Sequence, residues 1–180
     1  MKLHQARYYA VRIAKWLEPF CHRIEIAGSI RRRRPNCNDV DIVCIPKLVP
    51  PPLDLLGQPA GEPRSLLREF LVQYVERSEG NSTWRSGTEP QPDATNFLLK
   101  LPKCDLDVFA ANEATWVTRL ICRTGSVSHN ARMADKARTR GGHWNPQEGL
   151  SLDGQRVPLS SEEDFYQALG TPYLKPEKRE

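Results

Sequence analysis

Two short segments, Asp39-Val40-Asp41 and Asp105-Leu106-Asp107, constrain the fold of this chain more than any other feature. The first opens the strand-like run Val40 to Ile45, and the second lies within the strand-like run Lys103 to Ala110. Strand side chains alternate faces, so both carboxylates of a pair share one face, while Val40 and Ile42, or Leu106 and Val108, fill a core on the other. Adjacent like charges repel, and a cation between them is the usual way such a pair is tolerated. If the two strands are neighbours, three or four carboxylates form one nest. Oxygen-only ligands of this kind suit Mg²⁺ or Mn²⁺, and two such ions about 3.5–4 Å apart can clamp the attacking and leaving oxygens of a phosphoryl displacement. Either pair taken alone reads equally well as the solvated face of an ordinary edge strand.

The surrounding pattern predicts an α+β chain on a mixed or antiparallel sheet. Leu3 to Leu17 repeats apolar residues at helical spacing and is followed by Pro19. Arg23 to Ala27 reads as a strand broken by Gly28-Ser29. Pro46 to Pro63 holds Pro50-Pro51-Pro52, Gly57 and Gly61 and reads as an irregular surface loop within one unit. Arg64 to Arg77 is an amphipathic helix, and Asn96 to Leu101 is a strand turning at Pro102. Two helices, Glu113 to Cys122 and Ser126 to Arg140, flank Thr124-Gly125. A strand pair around Asp153-Gly154 and a helix from Ser160 to Leu169 complete the chain.

With 180 residues, one compact domain or two small subdomains on a shared core are expected. No stretch approaches a membrane span, and the charged opening MKLHQARYYAV lacks the apolar core of a signal peptide, so a cytoplasmic setting is expected, with a nucleoid, viral or phage context compatible. Five cysteines are scattered singly, which fits neither a zinc site nor a disulfide framework, and free thiols are expected. The net charge of +4, with arginines at Arg31 to Arg34 and from Arg132 to Arg140, raises the prior for a polyanionic partner without deciding it.

Beside the first carboxylate pair, Gly28 permits close backbone approach, and Ser29 offers a hydroxyl and an amide donor. A turn of exposed N–H groups there would hold phosphate oxygens, with arginine supplying bidentate charge. The same arginines also read as a solvated basic loop, and one or two of the four are expected to be no more than that.

Gly28-Ser29, two arginines and then Asp39-Val40-Asp41 together resemble the catalytic signature of family X DNA polymerases, the DNA polymerase beta type of nucleotidyltransferase. Leu106-Asp107-Val108 matches the family's third aspartate better than the segment around Asp105. RTGSVSHNARMADKARTRG resembles the family's helix start beside the nucleotide, and SSEEDFYQALGTPYLKPEKRE resembles its ending. The resemblance runs from about Ile24 to the end and implies a palm (residues 1–111) and a thumb (112–180), without the lyase domain and helix-hairpin-helix fingers of larger relatives.

By that resemblance, Asp39 and Asp41 would bind two Mg²⁺ or Mn²⁺ ions, and Asp107 only the catalytic one. Gly28, Ser29 and Arg32 would hold the triphosphate, with Asn38 contributing its backbone. Thr124, Gly125 and Asn130 would shape the sugar and base pocket. From the basic residues present, Arg33 and Arg34 of the arginine loop, and Arg132 and Lys136, four apart on one helical face, are expected to track DNA. His129 is expected on a helix surface, solvated or touching template or nucleotide. Cys122-Arg123 stands where relatives carry aromatics, and Asp105 where relatives can place a basic residue near the primer. The implied activity is DNA-directed addition of dNMP from dNTP to a primer 3′-hydroxyl on primer-template or gapped DNA, as in short-gap repair, by a monomer without membrane contact. Two rivals stay open: a template-independent nucleotidyltransferase acting on RNA, protein or a small molecule, and a non-catalytic DNA-binding module.

Overall fold

Helix α1 spans Leu3–Leu17 and buries Ala6, Ala10, Ile13 and Leu17, as its spacing predicts. In this computed structural model, which describes residues 1–180, α1 packs on strands β1 (Cys21–Ile26) and β2 (Asp39–Pro46). Between these strands the chain makes one helical turn, α2 (Gly28–Arg31), where the sequence indicated only a break. The Pro-rich loop departs from the sequence reading at its ends. Leu48–Val49 (β3) pairs with Arg64–Ser65 (β4), so helix α3 begins at Leu66 and runs to Arg77. The Ser65 hydroxyl caps it by accepting the Arg68 N–H.

Strands β5 (Thr83–Trp84), β6 (Asn96–Lys100) and β7 (Asp105–Ala110) complete a five-stranded sheet in the order β1-β2-β7-β6-β5. Only the central β2/β7 pair is parallel, so the sheet is mixed. One face carries Val40, Ile42, Leu106 and Val108 into a core with Ala10, Leu67 and Leu71. From the other, Val43, Ile45 and Phe109 enter a second core with Val117, Ile121, Phe165 and Tyr166. Period-two alternation along β2 and β7 therefore feeds both cores and leaves the aspartates at the strand starts on the second face.

Over that face lie α4 (Trp116–Thr124), α5 (Val127–Thr139), a three-stranded sheet of β8 (Gly142–Asn145), β9 (Gly149–Leu152) and β10 (Gln155–Arg156), and α6 (Glu162–Ala168). Helix α4 starts at Trp116 rather than Glu113, because Asn112 accepts the Thr115 N–H at 3.0 Å and holds the preceding residues in a turn. Strand β8 was not foreseen, since Gly142 follows directly on the glycine that ends α5. No helix is long and apolar enough to cross a membrane.

Glu162 ties this second layer to the turn after β1. Arg31 grips it with two bonds of 2.8 and 2.9 Å, and the fully buried Arg179 adds a third at 2.6 Å. Burial alone would raise the Glu162 pKa, but hydrogen bonds and charge from Arg31 and Arg179 outweigh it and hold the carboxyl below the usual glutamate range. The stabilisation from a depressed carboxylate is present above the unfolded pKa and is lost as pH falls through the folded one. Removing one member of a buried ionic cluster leaves uncompensated charge, typically a loss of about 3–5 kcal/mol. Glu162→Ala is accordingly expected to lower stability by about that much in urea unfolding at pH 7, with the difference from wild type shrinking as the pH is taken below 4.

Candidate active site

The parallel register of β2 and β7 sets Asp39 opposite Asp105 and Asp41 opposite Asp107. Ligand atoms of Asp39, Asp41 and Asp107 all lie within 4.8 Å of one another, while Asp105 falls outside the cluster. The structure thus brings Asp107, and not Asp105, together with Asp39 and Asp41. Burial, with the charges of Asp39 and Asp107, pushes Asp41 up to about 7. Asp107 is also raised, chiefly by burial, with Arg85 opposing and Asp39 adding to the shift. Its Oδ1 is buried without a hydrogen-bond partner. Three crowded carboxylates with an orphaned oxygen fit a divalent cation: it would relieve their repulsion and satisfy that atom.

Gly28 is required here. It sits at φ +60°, and a Cβ at this position would lie 1.7 Å from Asp41 Oδ2. The carboxylate therefore rests directly against the glycine of the turn, which the Ala27 N–H to Asp41 carbonyl bond of 2.9 Å holds against β2. Gly28, Ser29, Arg32, Arg34, Asn38, Asp39, Asp41, Cys122, Arg123, Gly125 and Asn130 line a cleft of about 460 Å³. The Ser29 hydroxyl and Arg32 Nε are buried there without hydrogen bonds, Arg32 Nε having only the Glu180 carboxylate 3.5 Å away. Such donors beside a turn suit phosphate oxygens.

Other expected site residues are engaged within the chain. Thr124 is fully buried, its hydroxyl accepting from Arg31 at 3.0 Å and its carbonyl accepting from Arg32. Asn130 donates to the Cys122 carbonyl at 2.8 Å. Arg33 pairs with Glu177 at 3.0 Å and Arg34 with Glu180 at 2.6 Å. Arg132 donates to Ser128 and to the Glu180 carbonyl, whereas Lys136 is exposed.

His129 is a correction. It is fully buried, with Nε2 2.8 Å from the Tyr166 hydroxyl and Nδ1 3.0 Å from Asn130 Oδ1, so it faces the second core instead of solvent. Burial holds its pKa down despite the Asn130 bond, aided by the charges of Arg179, Arg132 and Arg32.

Two cations near the carboxylates escaped sequence reasoning as site residues. Arg85 Nη2 lies 2.6 Å from Asp107 Oδ2. Arg123 lies 3.8 Å over the Phe109 ring, and its charge helps offset the rise of Asp41. Arg85 lay in the segment that carried no motif, and Arg123 registered only as a departure from a pattern.

The DNA polymerase beta thumb family model matches residues 119–180. DNA polymerase/3′-5′ exonuclease PolX of Bacillus subtilis (strain 168) is 28% identical over 179 residues, 96% of this chain and 28% of that protein. Residues 119–180 thus resemble the polymerase beta thumb, and nearly the whole chain is similar to this PolX. The chain spans about a quarter of the length of this curated relative. Two solved structures of Leishmania infantum polymerase beta are similar across 100% of this chain. The ternary P/T complex matches with a TM-score of 0.72 at 22% identity over 76% of that chain, and the ternary gap complex with 0.74 at 20% over 70%. The fold of this chain is thus α+β and matches that of polymerase beta with its thumb.

Asp41 gives the site a pH signature. Its folded pKa stands above the ordinary 3.8, so its contribution to stability is complete below that value and is lost as pH rises toward about 7. At about 1.4 kcal/mol per pKa unit, ionising it costs on the order of a few kcal/mol. Asp41→Asn in EDTA should therefore raise the melting temperature at pH 8, with the gain vanishing toward pH 4; an equal gain at both pH values would contradict the crowding of these carboxylates.

Proposed function

We propose that this chain is a DNA-directed DNA polymerase that transfers dNMP from dNTP to a primer 3′-hydroxyl, with primer-template or gapped DNA and dNTP as substrates and short-gap filling as its role. One observation carries the reading: the cluster of Asp39, Asp41 and Asp107 opens beside a cleft whose Ser29 and Arg32 hold unsatisfied donors. The names of the similar proteins support DNA as the partner, since the Leishmania polymerase beta structures hold primer-template and gapped DNA. A palm at 1–111 and a thumb at 112–180 accord with the thumb match beginning at residue 119.

Asp39, Asp41 and Asp107 would hold two Mg²⁺ or Mn²⁺ ions. When bound, these supply the charge that activates the attacking hydroxyl and neutralises the leaving pyrophosphate. Ser29, Arg32 and the Asn38 backbone would bind the triphosphate, against the close backbone approach that Gly28 allows. Thr124, Gly125 and Asn130 would bound the sugar and base, with Thr124 and Asn130 fixing the α4–α5 junction through the bonds they already make. Catalysis of this kind rests on positioning and charge complementarity, without a covalent intermediate. Arg33, Arg34, Arg132 and Lys136 would contact DNA phosphates, the first three after exchanging their present partners. A template-independent transferase is the alternative, and omission of template separates the two.

Extension of a labelled primer on gapped and open templates in Mg²⁺ is the direct test. Incorporation that follows the template supports the reading, and label transfer that ignores the template sinks it. Asp107→Ala should abolish incorporation while DNA affinity stays within a few-fold, and Asp105→Ala should lose far less because Asp105 lies outside the cluster. Arg32→Ala should raise the KM for dNTP about tenfold or more, the loss of one charge-assisted bond, with a smaller change in DNA affinity. The reverse pattern would move Arg32 to the DNA track.

A further inference from the structure

Arg85 follows directly on β5, and its N–H continues the ladder by donating to the Leu98 carbonyl at 2.9 Å. Leu98 pairs with Asp107 in β6/β7, and Asp107 pairs with Asp41 in β7/β2. Arg85, Leu98, Asp107 and Asp41 therefore form one row across the sheet. Strands lie about 4.8 Å apart, so Arg85 must span two intervals, over Leu98, to reach Asp107. It does so with Nη2 2.6 Å from Asp107 Oδ2, while Nη1 stands 3.7 Å from Oδ2 of the half-exposed Asp105. The guanidinium takes one oxygen of Asp107 and leaves Oδ1, which is buried and without a partner. Arg85 is absent from the lining of the cleft that holds Ser29 and Arg32.

Resting on the proposed polymerase reading, we infer that Arg85 is a positioning residue for Asp107, which fixes the carboxylate through Oδ2 so that Oδ1 alone is presented as a metal ligand, with Asp105 as the second anchor of the guanidinium. Three physical features support this. The Arg85 backbone is fixed by a ladder bond, and its planar guanidinium has less freedom than an ammonium, so it restricts where Asp107 Oδ2 can lie. It offsets, from outside the cluster, part of the repulsion that Asp39 and Asp41 impose on Asp107. An Asp at 105 also has a use beside a catalytic carboxylate, because it helps hold the cation.

The test compares Arg85→Gln, Arg85→Lys, Asp105→Asn and the double variant Arg85→Gln, Asp105→Asn with wild type. Turnover on gapped DNA should fall at least tenfold in Arg85→Gln, with the KM for dNTP and the Kd for DNA within about threefold. Arg85→Lys should recover part of the loss, since it can reach Oδ2 but not bridge to Asp105. Asp105→Asn should cost a few-fold in wild type and nothing further in Arg85→Gln, the coupling expected of residues acting through one contact. A readout independent of turnover is Mn²⁺ occupancy, from anomalous diffraction of crystals with dideoxy-terminated primer and dNTP. Arg85→Gln should lose Mn²⁺ at Asp107 Oδ1 and keep the ion held with the triphosphate.

Full Mn²⁺ occupancy in Arg85→Gln with turnover near wild type overturns the inference. So does a loss of turnover that tracks a weaker DNA Kd with both ions in place, because Arg85 would then be a primer contact. Tighter Mn²⁺ binding in the variant also overturns it, since Arg85 would be a competitor of the ion. A wild-type protein that neither extends primers nor holds Mn²⁺ refutes the underlying polymerase reading, which these variant-specific outcomes leave intact.

Discussion

The parallel pairing of β2 with β7 is the constraint on which the rest depends. It brings Asp41 beside Asp107 at the strand starts, and the same two strands carry Val40, Ile42, Leu106 and Val108 into one core and Val43 and Phe109 into the other. A one-residue slip would exchange both sets at once, placing carboxylates in the core and apolar side chains in the cleft. The apolar alternation thus enforces the register, and the register enforces a charge cluster that would repel itself apart if it were free to move.

The surroundings show how that cluster is held. Gly28 lets Asp41 lie against the turn, Arg85 approaches Asp107 from the far edge of the sheet, and Arg123 stands over Phe109 near Asp41. None of these neutralises the group fully, as the elevation of Asp41 to about 7 records. The residual negative potential, in a cleft that also holds the unsatisfied donors of Ser29 and Arg32, is what makes the site suited to a cation and a phosphate together.

A second feature is the destination of the arginine run. Arg31 is committed to Glu162, Arg33 to Glu177, and Arg34 to Glu180, with Arg32 3.5 Å from Glu180. The turn that follows β1 is therefore fastened to the C-terminal segment, and the second core grows over the sheet from that fastening. The pairs differ in depth. Arg31, Glu162 and Arg179 are nearly dry, whereas Arg33 and Arg34 lie at the surface, where ion pairs contribute little and exchange readily for other anions. The inner cluster is structural, and the outer pairs leave their arginines free to exchange partners.

Much of this was legible in the sequence. Helix α1 matches its apolar spacing from Leu3 to Leu17, and the alternation in Asp39-Val40-Asp41 and Asp105-Leu106-Asp107 placed each carboxylate pair on one face, because period-two and period-3.6 patterns are local properties of the chain. Boundaries at Leu66 and Trp116 were not legible, since a ladder with Leu48 and Val49 and a turn at Asn112 override helical propensity there. Nor was the burial of His129, which a partner 37 residues away, Tyr166, determines. Sequence by itself determined which side chains share a face and which glycine turn precedes the first carboxylate pair. Tertiary structure decided which strands are neighbours, that Asp107 rather than Asp105 joins Asp39 and Asp41, and that Arg85 reaches Asp107, because charges act through space and depend on distances that only the assembled sheet defines.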